Sequence, residues 1–450
     1  MDGVACGEAE RVFFLGIVEH AQRGQDAVAQ GNVGKIALAV QFVGVHLIEH
    51  GVGGFEVYVE TAVHWGLADK VPCQDHTGHG CGNQYVFERA HNLQKYQFIL
   101  IIFVTVALIG QYIMQRLVQL YRARFGAEPS SVELLPMSGS ARKYYRMAPA
   151  GVIGCIGTNL KENRAFLTID AAMREAGVAA PEVYGVSPDG MAYIQEDLGD
   201  GQLFALLVPS IEKGVFSAEE RGWLRSVMEA LPALQFGTGA KMAANWDICF
   251  PDREFNFRMV SFDLNYFKYC YLKESGVDFD EIALQDDLDL LIQDSLKPFG
   301  HTFMYRDFQA RNIMIRDGKP HFIDFQGGRR GPVQYDLASF LFNAGTRFPE
   351  PLRHELENVY LDALGELEKV SRDEFFEHYR LITLVRLLQE FGAYGFRGLI
   401  ERKQLFIDCI APAQKMLGEL VAEPFPRYPY LTEVLWRVAA DEGGLLKDIV

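Results

Sequence analysis

This 450-residue sequence has little positive charge, few cysteines and no secretory signal at its start. Positive charge is in deficit, since 43 Lys and Arg against 59 Asp and Glu give a net charge of −16. That balance disfavours a general nucleic-acid binder, which presents a basic face. The seven cysteines are odd in number and scattered, which indicates a reducing compartment rather than a disulfide framework. The first residues also lack the basic region and short apolar run of a secretory signal. We therefore expect a cytoplasmic protein.

The composition that remains is that of a globular chain. Hydrophobic residues make up 49% of the sequence, enough to form a core and too many for a disordered chain. The length allows two to three domains of ordinary size.

Residues 1–113 differ from the rest of the chain. They hold seven of the eleven histidines and fifteen glycines but a single proline, Pro72. The uncharged run 96–115 is close to the length of a membrane span, and Arg116 follows it. Three interpretations are open. The run is a single-span anchor with the following domain in the cytoplasm, a buried or interfacial helix, or part of an over-long gene prediction whose natural start is Met114.

Four side chains with metal-binding chemistry lie close together in that region: Cys73, His76, His79 and Cys81. Their types suit zinc, but four ligands within nine residues are tightly spaced for a tetrahedral site. Chance clustering in a His-rich segment is the preferred interpretation.

A later stretch carries three oxygen-bearing side chains. Asn312 follows Asp307 by five residues, and Asp324 comes twelve residues after Asn312. Between Asn312 and Asp324, two short apolar runs flank 316–320, and the Asp-Gly pair at its centre predicts a β-hairpin. The hairpin would return Asp324 to the other two residues. Two oxygen ligands and a potential base would then converge, as Mg²⁺-dependent phosphoryl transfer requires.

Hydrophobic periodicity divides the chain after residue 113 into two lobes. The first, residues 114–200, is predicted to be β-rich with one helix, from strand patterns over 132–135, 143–147, 151–156 and 192–199 and a helix pattern over 161–177. The second, residues 201–423, is predicted to be helical, with helices over 217–231, 261–274, 281–296 and 334–342. Residues 424–450 form a tail rich in proline and aromatic residues. The expected fold class is α+β.

These features together resemble the aminoglycoside phosphotransferase and choline kinase superfamily, a branch of the protein-kinase-like fold. The resemblance covers about 114–420 and is carried by residues 306–307 with Asn312, 323–325 and 335–339. It implies a two-lobed kinase that uses ATP and Mg²⁺, with Asp307 as catalytic base and Asn312 and Asp324 as metal ligands. Asp336, at the start of an apolar helix, is expected to play a structural role by accepting backbone N–H bonds from the catalytic loop.

The resemblance also suggests where ATP binds. Its phosphates would lie against a turn containing Ser138, Gly139 and Ser140, and its base would lie at the junction of the lobes, near Gln195 and Asp197. The third strand lacks the lysine that usually pairs with phosphate. Candidates for that positive charge are Arg142, Lys143, Arg146 and Lys161, with Glu162 as the ion-pair partner of the cation.

The expected acceptor is a hydroxyl group of a sugar or amino sugar, because 306–312 with 324–326 is similar to bacterial kinases of N-acetylmuramate and N-acetylglucosamine. Asp263, Asn265 and Arg329 are candidate acceptor contacts. Gln326 is expected either to touch metal or phosphate or to shape its loop. Arg329 and Arg330, on a basic loop at 327–332, contact substrate or are solvated, and solvation is the preferred interpretation.

Other functions remain open. An acidic cluster at 278–289 could serve a polycationic antibiotic, although an exposed helix face is the simpler explanation. The missing lysine motivates a regulatory pseudokinase that binds nucleotide. A protein kinase is disfavoured because no activation-segment signature separates Asp324 from Tyr335. No nucleic-acid partner is expected, and membrane contact is expected only through 96–115.

Overall fold

The computed structural model describes residues 10–22, 36–50, 54–68, 114–136, 142–297 and 302–449. The chain divides into two compact units, residues 1–116 with 187–189 and residues 117–186 with 190–450. The predicted zinc cluster, the apolar run up to residue 113 and the turn containing Ser138, Gly139 and Ser140 lie outside the described residues.

The first unit contains a three-stranded antiparallel sheet in the order β1-β2-β3. Its strands are β1 (Glu10–Gln22), β2 (Ile36–His50) and β3 (Gly54–Ala68). The sequence between residues 31 and 63 shows no clean strand periodicity, so this sheet is not evident from the pattern alone.

The second unit begins within a helix, α1 (114–125), and contains a five-stranded antiparallel sheet in the order β4-β5-β6-β8-β7. The strands are β4 (Ser131–Leu134), β5 (Lys143–Ala148), β6 (Val152–Ile156), β7 (Val183–Val186) and β8 (Ala192–Glu196). Helix α2 (Leu160–Glu175) connects β6 to β7 and begins where the side chain of Asn159 accepts a hydrogen bond from the N–H of Lys161. Strand β7 is missing from the sequence-based prediction.

The rest of this unit is mainly helical. Its α-helices are α3 (Leu203–Lys213), α4 (Ala218–Met242), α5 (Phe257–Phe267), α6 (Glu281–Ser295), α7 (Val333–Leu341), α8 (Glu350–Gly365), α9 (Arg372–Ala393), α10 (Gln404–Ile407), α11 (Ile410–Val421), α12 (Pro429–Ala439) and α13 (Leu445–Ile449). Four short strands interrupt them: β9 (Thr302–Met304), β10 (Ile313–Arg316), β11 (Lys319–Phe322) and β12 (Arg329–Gly331). Strand β9 pairs with β12 and β10 pairs with β11, both antiparallel. The predicted α+β class, with a small sheet followed by many helices, is confirmed.

Helix α4 is longer than predicted. The capping box between Ser217 and Glu220 is present, but the helix does not end at Leu231. It continues through Pro232 to Met242, because Leu234, Gln235, Thr238 and Met242 are all fully buried on its core-facing side. Packing therefore outweighs the cost of proline inside a helix.

Two large apolar clusters form most of the core of the second unit. The first joins the small sheet and α2 to α3, α4, α7 and α8, and includes Tyr305, Phe308 and Phe325 from the predicted catalytic stretch. The second lies among α5, α6, α9, α11 and α12. Buried aromatic rings of this first cluster therefore hold the segments that carry the predicted site residues. Among the described residues, no helix is both long and apolar enough to cross a bilayer.

Candidate active site

The predicted hairpin is present. Strands β10 and β11 pair in register from Ile313 opposite Phe322 to Arg316 opposite Lys319. The two residues between them, Asp317 and Gly318, have φ of 51° and 73°, the left-handed conformation that a two-residue hairpin turn requires. The N–H of Ile323 then donates to the carbonyl of Asn312 at 3.0 Å. The hairpin thus places the chain leading to Asp324 directly beside Asn312.

Asp336 holds the segment that precedes Asp307. Its carboxylate is fully buried and accepts hydrogen bonds from the N–H groups of Tyr305 and Arg306, both at 2.9 Å. The side chain of Gln235 donates to the same carboxylate at 3.2 Å. Arg306 has a φ of 76°, a conformation that is costly for a residue with a side chain. The three donors fix the backbone at that position.

The three predicted catalytic and metal-binding residues lie together. The Asn312 amide donates to the backbone carbonyl of Asp307 at 2.8 Å. Asp324, with a φ of 66°, accepts a hydrogen bond from the Gln326 amide at 2.6 Å. Burial raises the pKa of Asp324, while the bond from Gln326 opposes that rise and the charge of Asp307 adds to it. Both carboxylates are therefore near enough to interact, in a site where a cation would be strongly favoured.

A buried arginine also acts on the charge of Asp324. Arg142, which is 2% exposed, forms an ion pair with Glu162 of α2 at 3.4 Å. Its charge lowers the pKa of Asp324, and its guanidinium lies 5.7 Å from the centre of the Phe166 ring. Phe166 stacks on Phe325 with ring centres 4.9 Å apart. The helix that carries Glu162 is thus packed onto the residue that follows Asp324.

Two other predicted nucleotide contacts are paired with each other. Arg146 of β5 contacts Asp197 at 2.6 Å and Asp200 at 2.8 Å, so it ties the sheet to the segment after β8. Gln195 lies within β8 and is 8% exposed, and its side-chain oxygen has no hydrogen-bond partner among the described residues. Arg146 and Asp197 therefore brace the junction between sheet and helices.

Two of the candidate acceptor contacts, Asp263 and Arg329, lie close enough to Asp307 for their charges to interact with it. Asp263 of α5 is 9% exposed and lies 3.9 Å from Arg306. Burial raises the pKa of Asp263, and the charges of Arg306, Arg329 and Arg386 oppose that rise. Asn265, two residues further along α5, is only partly buried, and its backbone carbonyl accepts a hydrogen bond from the N–H of Lys268.

The prediction that the arginines of the basic loop at 327–332 are solvated is wrong for Arg329. Residues 329–331 form β12, and Arg329 is 1% exposed, with its guanidinium donating to the carbonyl of Gly327 at 3.0 and 3.1 Å. Burial and the charge of Arg306 lower the pKa of Arg329 to about 10. Arg330 forms an ion pair with Glu254. Pairing with β9 orders the segment and carries Arg329 into the interior.

Several residues that support the site were not identified from the sequence. Gln235 bonds Asp336 from 101 residues away. Arg386 of α9 donates to Ser339 at 3.0 Å and pairs with Glu390 at 3.1 Å. These side chains come from long helices with ordinary amphipathic patterns, so no local signal marks them.

Sequence comparison finds a family match over part of the chain. Residues 156–370 match the model of the phosphotransferase enzyme family. The predicted resemblance and the prediction of a small-molecule kinase are confirmed at that level.

Named relatives are more specific. An N-acetylmuramate/N-acetylglucosamine kinase of Pseudomonas aeruginosa is 26% identical over 251 residues, which cover 54% of this chain and 69% of that protein. A kinase of the same name from Pseudomonas putida is 23% identical, covering 69% of this chain and 93% of that protein. Among solved structures, a choline/ethanolamine kinase family protein from Mesorhizobium loti is 14% identical with a TM-score of 0.43, covering 71% of this chain and 99% of that one.

Proposed function

We propose that this protein is an ATP- and Mg²⁺-dependent kinase that transfers the γ-phosphate to a hydroxyl group of a sugar or amino sugar. The observation that carries the proposal is the joining of Asp307, Asn312 and Asp324 by the β10–β11 hairpin and the bond from Asn312 to the Asp307 carbonyl. The names of the two Pseudomonas relatives support the choice of acceptor.

The residues present fit Mg²⁺. Within the described parts of the chain, no group of three or more His, Cys, Asp or Glu side chains could hold a metal on its own. Mg²⁺ does not need such a cage, since it is usually bound by one or two protein oxygens, phosphate oxygens and water. Asn312 and Asp324 would supply the protein oxygens. Gln326 has a buried side-chain oxygen without a hydrogen-bond partner among the described residues, and it would face the same ion. When bound, the metal would offset charge on the phosphates.

Arg142 is the proposed cation for the nucleotide phosphates. Its pairing with Glu162 on α2 has the arrangement that protein kinases build from a strand lysine and a helix glutamate. Arg146 is less suited, since it is already engaged by Asp197 and Asp200. Ser138, Gly139, Ser140, Gln195 and Asp197 remain proposed nucleotide contacts.

Asp307 is proposed to accept the proton of the attacking hydroxyl. Its carboxylate needs only hydrogen-bond reach of that hydroxyl. Three buried or half-buried arginines act on Asp263 beside it: Arg306, Arg329 and Arg386. That concentration of positive charge suits a neutral or anionic acceptor, and Asp263, Asn265 and Arg329 are its proposed contacts.

The antibiotic-kinase alternative requires an acidic cleft, and carboxylates of the 278–289 cluster have other partners. Asp280 caps α6 by accepting from the N–H groups of Ile282 and Ala283. Asp287 is buried and accepts the N–H of Leu431 at 2.8 Å. These contacts stabilise α6 and its packing on α12, which favours a structural role for the cluster.

The proposal is tested with labelled ATP and Mg²⁺ over amino sugars, free sugars, aminoglycosides, choline and simple alcohols, using the full chain. We expect phosphate transfer to an N-acetylated amino sugar, with kcat/KM at least about 100-fold above that for an aminoglycoside. Transfer only to an aminoglycoside would replace the proposal with the antibiotic-kinase alternative. ATP binding without transfer to any acceptor would support the pseudokinase.

Replacing Asp307 by asparagine tests the mechanism, because it keeps the shape and removes the proton acceptor. We expect kcat to fall about 10²- to 10⁴-fold, with the far-ultraviolet circular dichroism unchanged. Asp317→Asn makes the same substitution on the exposed hairpin turn and should leave kcat within twofold. Equal activity of the two variants would contradict the role of Asp307.

A further inference from the structure

A cavity lies beside the start of α7, the helix that carries Asp336. It has a volume of about 630 Å³ and is bounded by α4, the start of α7, and the connection from α8 to α9. Volumes of this size are ordinary for small-molecule sites. Of the described residues that line it, none is a predicted catalytic, metal, nucleotide or acceptor residue. The cavity is therefore separate from the site described above.

The floor of the cavity is buried and its rim is exposed. Leu364 and Phe375 on the floor are 0% and 1% exposed. Phe236 and Trp246 are half-buried and add two more apolar faces. The exposed rim carries charges of both signs, including Glu368 and Lys369. It therefore strongly favours neither an anion nor a cation. This lining suits a flat, apolar and uncharged molecule.

One polar group on the floor lacks a partner. Gln334, the second residue of α7, is 2% exposed, and its side-chain oxygen makes no hydrogen bond within the described structure. A buried carbonyl without a donor is unfavourable. A ligand that supplies an N–H group to this oxygen would remove that cost while its ring covers the aromatic lining.

We propose that this cavity is a second ligand site, for a flat, neutral aromatic molecule that donates an N–H hydrogen bond to the side-chain oxygen of Gln334. The site adjoins the network that holds the catalytic segment. Val333, the residue before Gln334, accepts a hydrogen bond from Gln235 at 3.0 Å, and Gln235 also donates to Asp336. The ligand would thus contact the helix that carries Asp336.

Two probes of the same shape test the hydrogen bond directly. Indole carries a ring N–H, and benzothiophene replaces that group with sulfur. Binding of each to the full chain is measured by saturation-transfer NMR and calorimetric titration. We expect indole to bind with a sub-millimolar Kd and benzothiophene to bind about tenfold more weakly, the loss that one unmade bond to a buried group produces. No indole binding up to its solubility limit, or equal binding of the two probes, would overturn the proposal.

Variants locate the binding. Gln334→Met keeps an unbranched side chain and removes the acceptor, so the two probes should bind it equally. Ala243→Trp places a ring at the exposed rim and should weaken both probes at least tenfold. Ala233→Trp makes the same change at an exposed position of α4 that does not line the cavity, and should bind indole as the unaltered chain does. Indole binding that survives Ala243→Trp unchanged would place the ligand elsewhere and refute the assignment.

Discussion

At the scale of single residues, Asp336 holds the backbone that leads to Asp307. Its two carboxylate oxygens accept from Tyr305, Arg306 and Gln235. Asn at this position would keep the shape but turn an N–H₂ group toward one of those donors. We expect Asp336→Asn to lower the free energy of unfolding by about 1–3 kcal/mol and to lower kcat, because the segment leading to Asp307 loosens.

Urea unfolding and amide hydrogen exchange measure this effect. The amides of Tyr305 and Arg306 should exchange faster in the variant, while those of the second apolar cluster, such as Leu388, should slow or quicken only with global stability. Unchanged exchange at Tyr305 and Arg306 would show that the carboxylate does not hold them.

The burial of Asp170 in α2 leads us to expect that the free energy of unfolding depends on pH. It is 3% exposed, and one of its side-chain oxygens has no hydrogen-bond partner among the described residues. Burial raises the pKa of Asp170 to about 7, against an opposing effect of Arg174. The folded state therefore keeps a proton that the unfolded chain releases above about pH 4. The contribution of this group to stability is greatest below that pH and is lost as the pH rises through 7.

Asp170→Asn removes this titration. At pH 8 the variant should exceed the unaltered chain in free energy of unfolding by at most about 4 kcal/mol, because each pKa unit corresponds to about 1.4 kcal/mol. At pH 4 the two should differ little. Urea unfolding at both values decides, with Asp317→Asn on the exposed turn as the matched control. A difference that is the same at pH 4 and pH 8 would rule out burial of a proton at Asp170.

At the scale of elements, the conformation of the β10–β11 turn predicts how a substitution of its glycine changes the free energy of unfolding. A Cβ added at Gly318 would meet no atom within 4 Å, but the residue has a φ of +73°. Gly318→Ala should therefore destabilise the protein by about 1 kcal/mol through backbone strain alone. Gly222, in the exposed first turns of α4, also has open space around it and no positive φ, so Gly222→Ala should stabilise by about 0.5–1 kcal/mol.

Chemical denaturation of the two glycine variants gives the comparison. Opposite signs are expected for the same added methyl group. If both variants changed stability in the same direction, the turn would not depend on the left-handed conformation.

The hairpin was predictable because its signals are local. An Asp-Gly pair fixes the turn, and the turn fixes which residues of the two strands face each other, so Asp324 returns to Asn312. Helix caps at Asn159 and Ser217 are local in the same way. The end of α4 and the burial of Arg329 were mispredicted, because each depends on packing against residues far along the chain. Strands β9 and β12 are too far apart for a short local pattern to include both, and their pairing orders Arg329.

At the scale of the whole molecule, the site depends on helices that the motif does not mention. Gln235 on α4 fixes Asp336, and Arg386 on α9 fixes Ser339, whose hydroxyl lies 3.4 Å from the carbonyl of Arg306. Such contacts join positions more than 40 residues apart. The meeting of Asp307, Asn312 and Asp324 could be predicted from their spacing and from the hairpin between them, whereas this supporting framework could not.

Two helical segments of the core, those that follow α5 and α9, approach each other closely at Gly395. Gly395 lies in a π-helical segment (Tyr394–Ile400) after α9, against a second one (Lys268–Leu272) after α5. A Cβ at Gly395 would lie 2.1 Å from the backbone carbonyl oxygen of Cys270, and backbone cannot rotate away as a side chain can. Gly395→Ala should cost about 3 kcal/mol, the upper end of the usual range, since overpacking a core forces backbone shifts. Gly365→Ala, at the open end of α8, should change the free energy of unfolding by less than about 1 kcal/mol.

Because α5 carries Asp263, the Gly395 variant should also raise KM for the acceptor more than KM for ATP. Thermal unfolding with both KM values measures this, and a stable Gly395→Ala variant would show that the two segments do not approach so closely.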